Sequence, residues 1–435
     1  MKYISLNDKA PKVGFREAVF NGLAPDRGLY FPETIMPLPN LFFETIQDLT
    51  PEEIGYQALK QFVGDAIPEM ALREIISDTL SFDFPLVAIE KRTYALELFH
   101  GPTLAFKDVG ARFMARCLAY FNSKTKISNS TVLVATSGDT GGAVANGFLD
   151  TPGIEVVILY PSGKVSEIQE KQLTTLGKNT NALEVKGDFD ACQEMVKKAF
   201  LDPGLAHRKL TSANSINVAR WLPQMLYFFL AYKNLKSKGE ASNVVFSIPC
   251  GNFGNCCAGM MAAQLGLPVS HFIAATNSND TVPRFTVSGK YEPGVTIPTI
   301  SNAMDVSNPS NFIRILKLYE NKIQLLQQSF SSYSFSDTET LQAMQELYKK
   351  SGYIADPHGA IGYLGLKKYN GDNDYTGVFL ETAHPIKFKE TVEAILSEKL
   401  EVPAQIQELL DKKKQSHTIA GYEDLKSFLL GNSNG

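Results

Sequence analysis

No apolar run in this 435-residue chain approaches the ~20 residues a helix needs to cross a bilayer, and the opening residues Met1 to Asp8 lack an apolar signal region. The chain is therefore expected to be cytoplasmic, with no membrane partner. Cysteine is sparse and odd in number: Cys117, Cys192, Cys250, Cys256 and Cys257 are scattered, which fits reduced thiols rather than a disulfide framework. No CxxC or histidine spacing accompanies them, so they read as small buried residues and no metal is expected. Basic runs interleaved with aromatics are missing and the formal net charge is −4, which makes nucleic acid an unexpected partner. The GxGxxG and GxxxxGKS/T loops of dinucleotide and nucleoside triphosphate sites are absent, as are internal repeats and low-complexity segments.

What is present reads as a large globular chain, 44% apolar and 20% charged, long enough for two or three lobes. Residues up to about 95 carry short helical patterns broken by Pro and Gly and predict a mostly helical N-terminal lobe. From Thr131 the texture changes. Thr131–Thr136 and Ile154–Pro161 read as apolar strands, with a helix over Ser166–Leu176 and a strand over Ala182–Val185. The pattern returns at Asn243–Pro249 and Val378–Thr382. Such alternation predicts an α/β chain of parallel sheets with helices on both faces, whose ligand loops follow the carboxyl ends of the strands. Amphipathic stretches at Asn311–Gln328 and Thr338–Lys350 are expected to cover a sheet, and the tail after Pro403 to form short helices with a polar end, Gly431–Gly435.

Four stretches carry candidate chemistry. Lys107 opens an amphipathic segment after the small and apolar run Gly101–Phe106. A lysine held at such a helix mouth and desolvated loses its proton readily and becomes a nucleophile for an aldehyde; a surface lysine at a helix start has the same local pattern. Gly251-Asn252-Phe253-Gly254 follows a strand and precedes a small-residue helix, as a phosphate cradle or a tight turn would. Ser137-Gly138-Asp139-Thr140-Gly141 can receive a carboxylate or simply cap its helix. Ser212–Asn217 with Arg220 suits a second phosphate, or an N-cap cluster with a solvated arginine.

Together, the motifs HGPTLAFKD (100–108), SGDTG (137–141), SANSIN (212–217) with Arg220, GNFG (251–254) and TAHP (382–385) resemble the threonine synthase family, pyridoxal-phosphate enzymes of the tryptophan synthase β fold type. The resemblance runs in order through nearly the whole chain, including Gln172, Gly187–Cys192, Ala275–Phe285 and Ser301–Ser307. It implies pyridoxal-phosphate fold type II, with two parallel-sheet lobes and a helical N-terminal lobe. The implied division is 1–95 for that lobe, 96–125 with 206–400 for the cofactor-binding domain, 126–205 for a small α/β domain, and 401–435 for closing helices. It implies a lyase of the last step of threonine biosynthesis, turning O-phospho-L-homoserine and water into L-threonine and phosphate. A phospholyase giving an oxo acid, ammonia and phosphate is the alternative. By the same resemblance Lys107 forms the Schiff base, Gly251, Asn252, Phe253 and Gly254 hold the cofactor phosphate, and the Thr382 hydroxyl meets the pyridine nitrogen. Ser137, Asp139 and Thr140 then belong to the loop for the substrate carboxylate, and Asn214, Ser215 and Arg220 to the site for its phosphate. His100, His358 and His384 are expected to be oriented structural imidazoles, and Asp108 and Arg112 to orient the lysine loop or a lobe contact. A monomer or homodimer is expected, without an effector module.

Overall fold

The computed structural model describes residues 1–124, 130–371 and 374–431. The expected polar end beyond Gly431 and the division expected at 125/126 therefore lie outside the described residues. Among those described, no helix is long and apolar enough to cross a membrane.

Two parallel sheets carry the chain. The larger runs in the order Phe330–Ser334, His271–Thr276, Val244–Pro249, Thr376–Glu381, Thr93–Glu97 and Leu86–Glu90. Every pairing is parallel except the last, a hairpin that closes one edge. Val244–Pro249 and Thr376–Glu381 are buried along their whole length, with the apolar stretches Val244–Phe246 and Val378–Leu380 covered on both faces. The smaller sheet runs His417–Ile419, Thr180–Val185, Ile154–Pro161, Ser130–Ala135, Leu210–Thr211, all parallel. The fold is the expected α/β architecture, and the N-terminal region is mostly helical. It also holds a small antiparallel sheet of Lys2–Ser5, Val13–Gly14 and Tyr30–Pro32.

Local chemistry fixes the helix starts. Pro51–Val63 opens on Thr50, whose hydroxyl accepts from the Glu53 N–H, with Pro51 in its first turn. Reciprocal capping boxes start Glu167–Thr174 (Ser166, Gln169) and Asp337–Ser351 (Ser336, Glu339). Three expectations change. The stretch 311–328 is two helices, Phe312–Leu318 and Ile323–Leu326, because Glu320 and Asn321 between them adopt left-handed backbone, φ 53° and 58°. The strands 271–276 and 330–334 were not expected. Nor was His417–Ile419, which lies between the tail helices Ala404–Leu410 and Tyr422–Leu429 and extends the small sheet. All five cysteines are free and buried, as expected.

Candidate active site

Three neighbouring strands of the large sheet, 244–249, 376–381 and 93–97, deliver the Gly251 loop, Thr382 and the lysine segment to the same carboxyl edge. The lysine segment is stitched to the Thr382 segment: the Phe106 N–H donates to the Thr382 carbonyl (2.9 Å) and the His384 N–H to the Leu104 carbonyl (3.1 Å). Leu104 has φ 57°, a left-handed conformation costing a branched residue on the order of 1–3 kcal/mol, maintained by the pairing around it. The buried Asp108 carboxylate closes the turn by accepting from the Thr103 N–H (2.9 Å) and hydroxyl (2.5 Å). Arg112 reaches back to the N-terminal region, donating to Asp78 Oδ1 (2.9 Å).

Lys107 is the first residue of the helix Lys107–Lys124. The residue remains partly accessible, but its ammonium is desolvated. Burial first, then the charges of Lys387 and Arg220, lower its pKa against the opposing pull of Asp139. A neutral amine is therefore within reach.

Asp139 is the centre of the local charge. Its side chain caps nothing; Gly138 at the helix start has φ 139°, and the Thr136 hydroxyl takes the Gly138 and Gly141 N–H groups instead (3.0 and 2.8 Å). The capping explanation of this loop thus fails for Asp139. Its carboxylate meets Lys387 Nζ at 2.6 Å, both side chains buried, and accepts from Gln169 Nε2 at 3.1 Å. Burial alone would raise this carboxyl, but Lys387 and Lys107 outweigh it and hold it well below the usual range. Lys387 also donates to the Thr103 carbonyl (2.9 Å), tying the ion pair to the lysine loop. A fixed carboxylate repels another carboxylate, so Asp139 itself is no receptor for an anion.

The other two stretches share a wall. Asn252 Nδ2 donates to Ser215 Oγ (2.8 Å), which also accepts from Asn311 (3.1 Å). Phe253, at φ 59°, sets the Gly254–Gln264 helix to point its N-terminus into this region, with no acidic residue in its first turn. Asn255 is structural, donating to the Pro249 carbonyl (2.9 Å). In the second stretch Asn217 is the helix cap, accepting from the Ala219 N–H (3.0 Å), while Asn214 donates to the Ala135 carbonyl (3.4 Å). Arg220 is only 2% exposed, which rules out a solvated arginine. One of its nitrogens is held by the Ala213 carbonyl and its Nε is buried without a partner. Burial lowers its pKa to about 10.

Sequence reasoning misses Lys387 and Arg314. Arg314 is fully buried, stands 4.7 Å over the Trp221 ring, and fixes the Ser215 loop by donating to the Ser215 (3.2 Å) and Ile216 (2.6 Å) carbonyls. Neither has a local motif, since the contacts that tie each to this region come from residues far away in the chain. His100 meets Glu97 (2.7 Å), and His384 Nδ1 accepts from the Ile386 N–H (3.1 Å); burial pushes the His384 pKa down to about 4. Both are oriented imidazoles, as expected.

A desolvated amine, a buried Arg220 with an orphaned guanidinium nitrogen and a helix N-terminus suit a phosphorylated aldehyde held on lysine. That combination defines a pyridoxal-phosphate enzyme. The description "Pyridoxal-phosphate dependent enzyme" matches residues 85–378, "Threonine synthase N terminus" residues 2–80 and "Threonine synthase, C-terminal" residues 359–429. Threonine synthase of Haemophilus influenzae is 45% identical, with 99% of this chain and 100% of that protein covered. The crystal structure of threonine synthase from Escherichia coli has TM-score 0.93 at 43% identity, both chains fully covered. A pyridoxal-phosphate-bound threonine synthase from Brucella melitensis has TM-score 0.93 at 32% identity, again with both chains fully covered. The chain belongs to the threonine synthase family, and its cofactor is pyridoxal phosphate.

Proposed function

We propose that the protein converts O-phospho-L-homoserine and water to L-threonine and phosphate, using Lys107 as both the cofactor lysine and the proton carrier. When bound, the cofactor supplies an aldehyde for the amine and a conjugated ring that accepts the electron pair of a breaking C–H bond. Gly251, Asn252, Phe253 and Gly254 hold its phosphate with backbone and helix N-terminus, and the Thr382 hydroxyl faces its ring nitrogen. Ser137 and Thr140 receive the substrate carboxylate, while Asp139 anchors the loop through Lys387. Asn214, Ser215 and Arg220 take the substrate phosphate. Once the substrate amine takes its place, the neutral Lys107 Nζ removes and returns protons along the substrate carbons.

The observation that carries this reading is the shared wall between two anion receptors of different build. One is a backbone cradle suited to a permanent phosphate and the other a side-chain site suited to one that leaves, joined by the Asn252–Ser215 hydrogen bond (2.8 Å). Incubating the purified holoenzyme with O-phospho-L-homoserine is expected to give threonine and phosphate in equal amounts. Accumulation of 2-oxobutyrate with ammonia in place of threonine would identify a phospholyase, and no turnover would reject both.

A further inference from the structure

His358 lies near this site with its outer nitrogen buried and without a protein partner. Asp356 precedes the helix Pro357–Lys368, and its Oδ1 accepts from the His358 backbone N–H (2.6 Å) and from ring Nδ1 (2.5 Å). A carboxylate only accepts, so Nδ1 carries the ring proton and Nε2 is left as a bare acceptor. Nε2 is buried, the residue being 2% exposed, and bonds to no protein group. Behind Asp356 stands Glu381, whose two oxygens, like Asp356 Oδ2, are buried and unpartnered. Burial, then the charge of Asp356, raises the Glu381 carboxyl well above its ordinary range.

The surroundings locate the ring. Phe388 stands edge-on at 4.9 Å and adjoins Lys387, the partner of Asp139. On the other side Gly359, the next residue, packs against the Glu381 carboxyl, and Glu381 precedes Thr382. An orphaned acceptor therefore stands between the segments that carry Lys387 and Thr382.

We propose that His358, oriented by Asp356, is a catalytic base that takes a proton from the water added to the substrate's Cβ. This rests on the function proposed above. Phosphate leaves Cγ with the electron pair of its C–O bond. One O–H bond of the water breaks, its proton goes to Nε2, and the oxygen forms the new bond to Cβ. The pair displaced from the double bond at Cβ ends in the new C–H bond at Cα. Protons leave Cα, Cβ and water, and are placed on Cα, Cγ and the departing phosphate, to which His358 returns the one it took. Lys107 serves the carbon positions, and His358 carries the water's proton to the departing phosphate.

The test compares His358→Gln and Asp356→Asn holoenzymes with wild type on O-phospho-L-homoserine, measuring threonine, 2-oxobutyrate and phosphate. Both variants are expected to keep the visible, borohydride-reducible chromophore. Threonine formation should fall about a hundredfold, the usual scale for losing a general base, and phosphate release by less. The ratio of 2-oxobutyrate to threonine should therefore rise about tenfold or more. An unchanged ratio in a variant that retains the chromophore overturns the role of His358 while leaving the overall reaction intact. If His358→Gln loses the chromophore, Asp356→Asn decides alone. A wild-type enzyme that makes no threonine overturns both readings.

Discussion

Lys387 and Asp139 form a buried ion pair at 2.6 Å that also borders Lys107. Removing one member leaves an uncompensated buried charge, the costly case for ion pairs. Lys387→Met is expected to lower unfolding stability by about 3 kcal/mol, measured by urea titration. Asp139→Leu in the same chain should recover most of that loss, because a well-packed apolar pair can replace a buried ionic one. A double variant as unstable as Lys387→Met would show that the lysine acts through packing and not charge. The contrast with Lys107 explains what is legible at this scale. Lys107 stands in a run of small and apolar residues at a helix start, a pattern visible in the chain itself. Lys387 is a polar residue in the single 3-10 turn Pro385–Phe388, and only the fold brings it to a carboxylate 248 positions upstream.

The helix Lys107–Lys124 links the desolvated amine to Arg220, the proposed receptor for the substrate phosphate. A Cβ on Gly110 would overlap the Arg220 carbonyl oxygen and crowd its guanidinium. Alanine in a helix interior ordinarily gains ~1 kcal/mol over glycine, whereas overpacking loses ~1–3 kcal/mol. Gly110→Ala is therefore expected to destabilise slightly and to shift Arg220. It should weaken binding of O-phospho-L-homoserine about tenfold, or ~1.4 kcal/mol, while the cofactor chromophore remains. Binding measured by spectral titration checks this, and unchanged affinity would separate Arg220 from the phosphate. Among the elements themselves, the buried strands Val244–Pro249 and Thr376–Glu381 are legible through the apolar stretches Val244–Phe246 and Val378–Leu380. The strand His271–Thr276 is equally buried but has only Phe272 and Ile273 as large apolar residues, and His271 bonds Ser331 across to its neighbour (2.8 Å). The break at Glu320–Asn321 is equally hidden, since their left-handed backbone leaves no mark on hydrophobic periodicity.

For the molecule as a whole, the two sheets draw on distant parts of the chain. The C-terminal strand His417–Ile419 extends the small sheet, and Leu425 and Leu429 are fully buried in the core containing Leu133, Val157 and Leu183. Deleting residues beyond Leu410 removes Ile419, Leu425 and Leu429 from that core, a loss of about 5 kcal/mol at the usual value per buried side chain. It also bares the edge of Thr180–Val185. The truncated chain should melt earlier and aggregate, read by thermal unfolding with light scattering; a soluble chain with the full-length midpoint would make the tail dispensable. The general parallel-sheet architecture is legible from alternation of strand and helix, whereas the place of this tail strand is not, because three residues carry no period. The pairing of Phe106 with Thr382 has a consequence in time. A ribosome adding roughly 5–20 residues per second needs about 15–55 s after making Lys107 to reach Thr382, so the nascent lysine waits with half its pocket unmade. Capture of the aldehyde is thus expected to be a late event in biogenesis, and a bound chromophore would report that synthesis has passed Thr382.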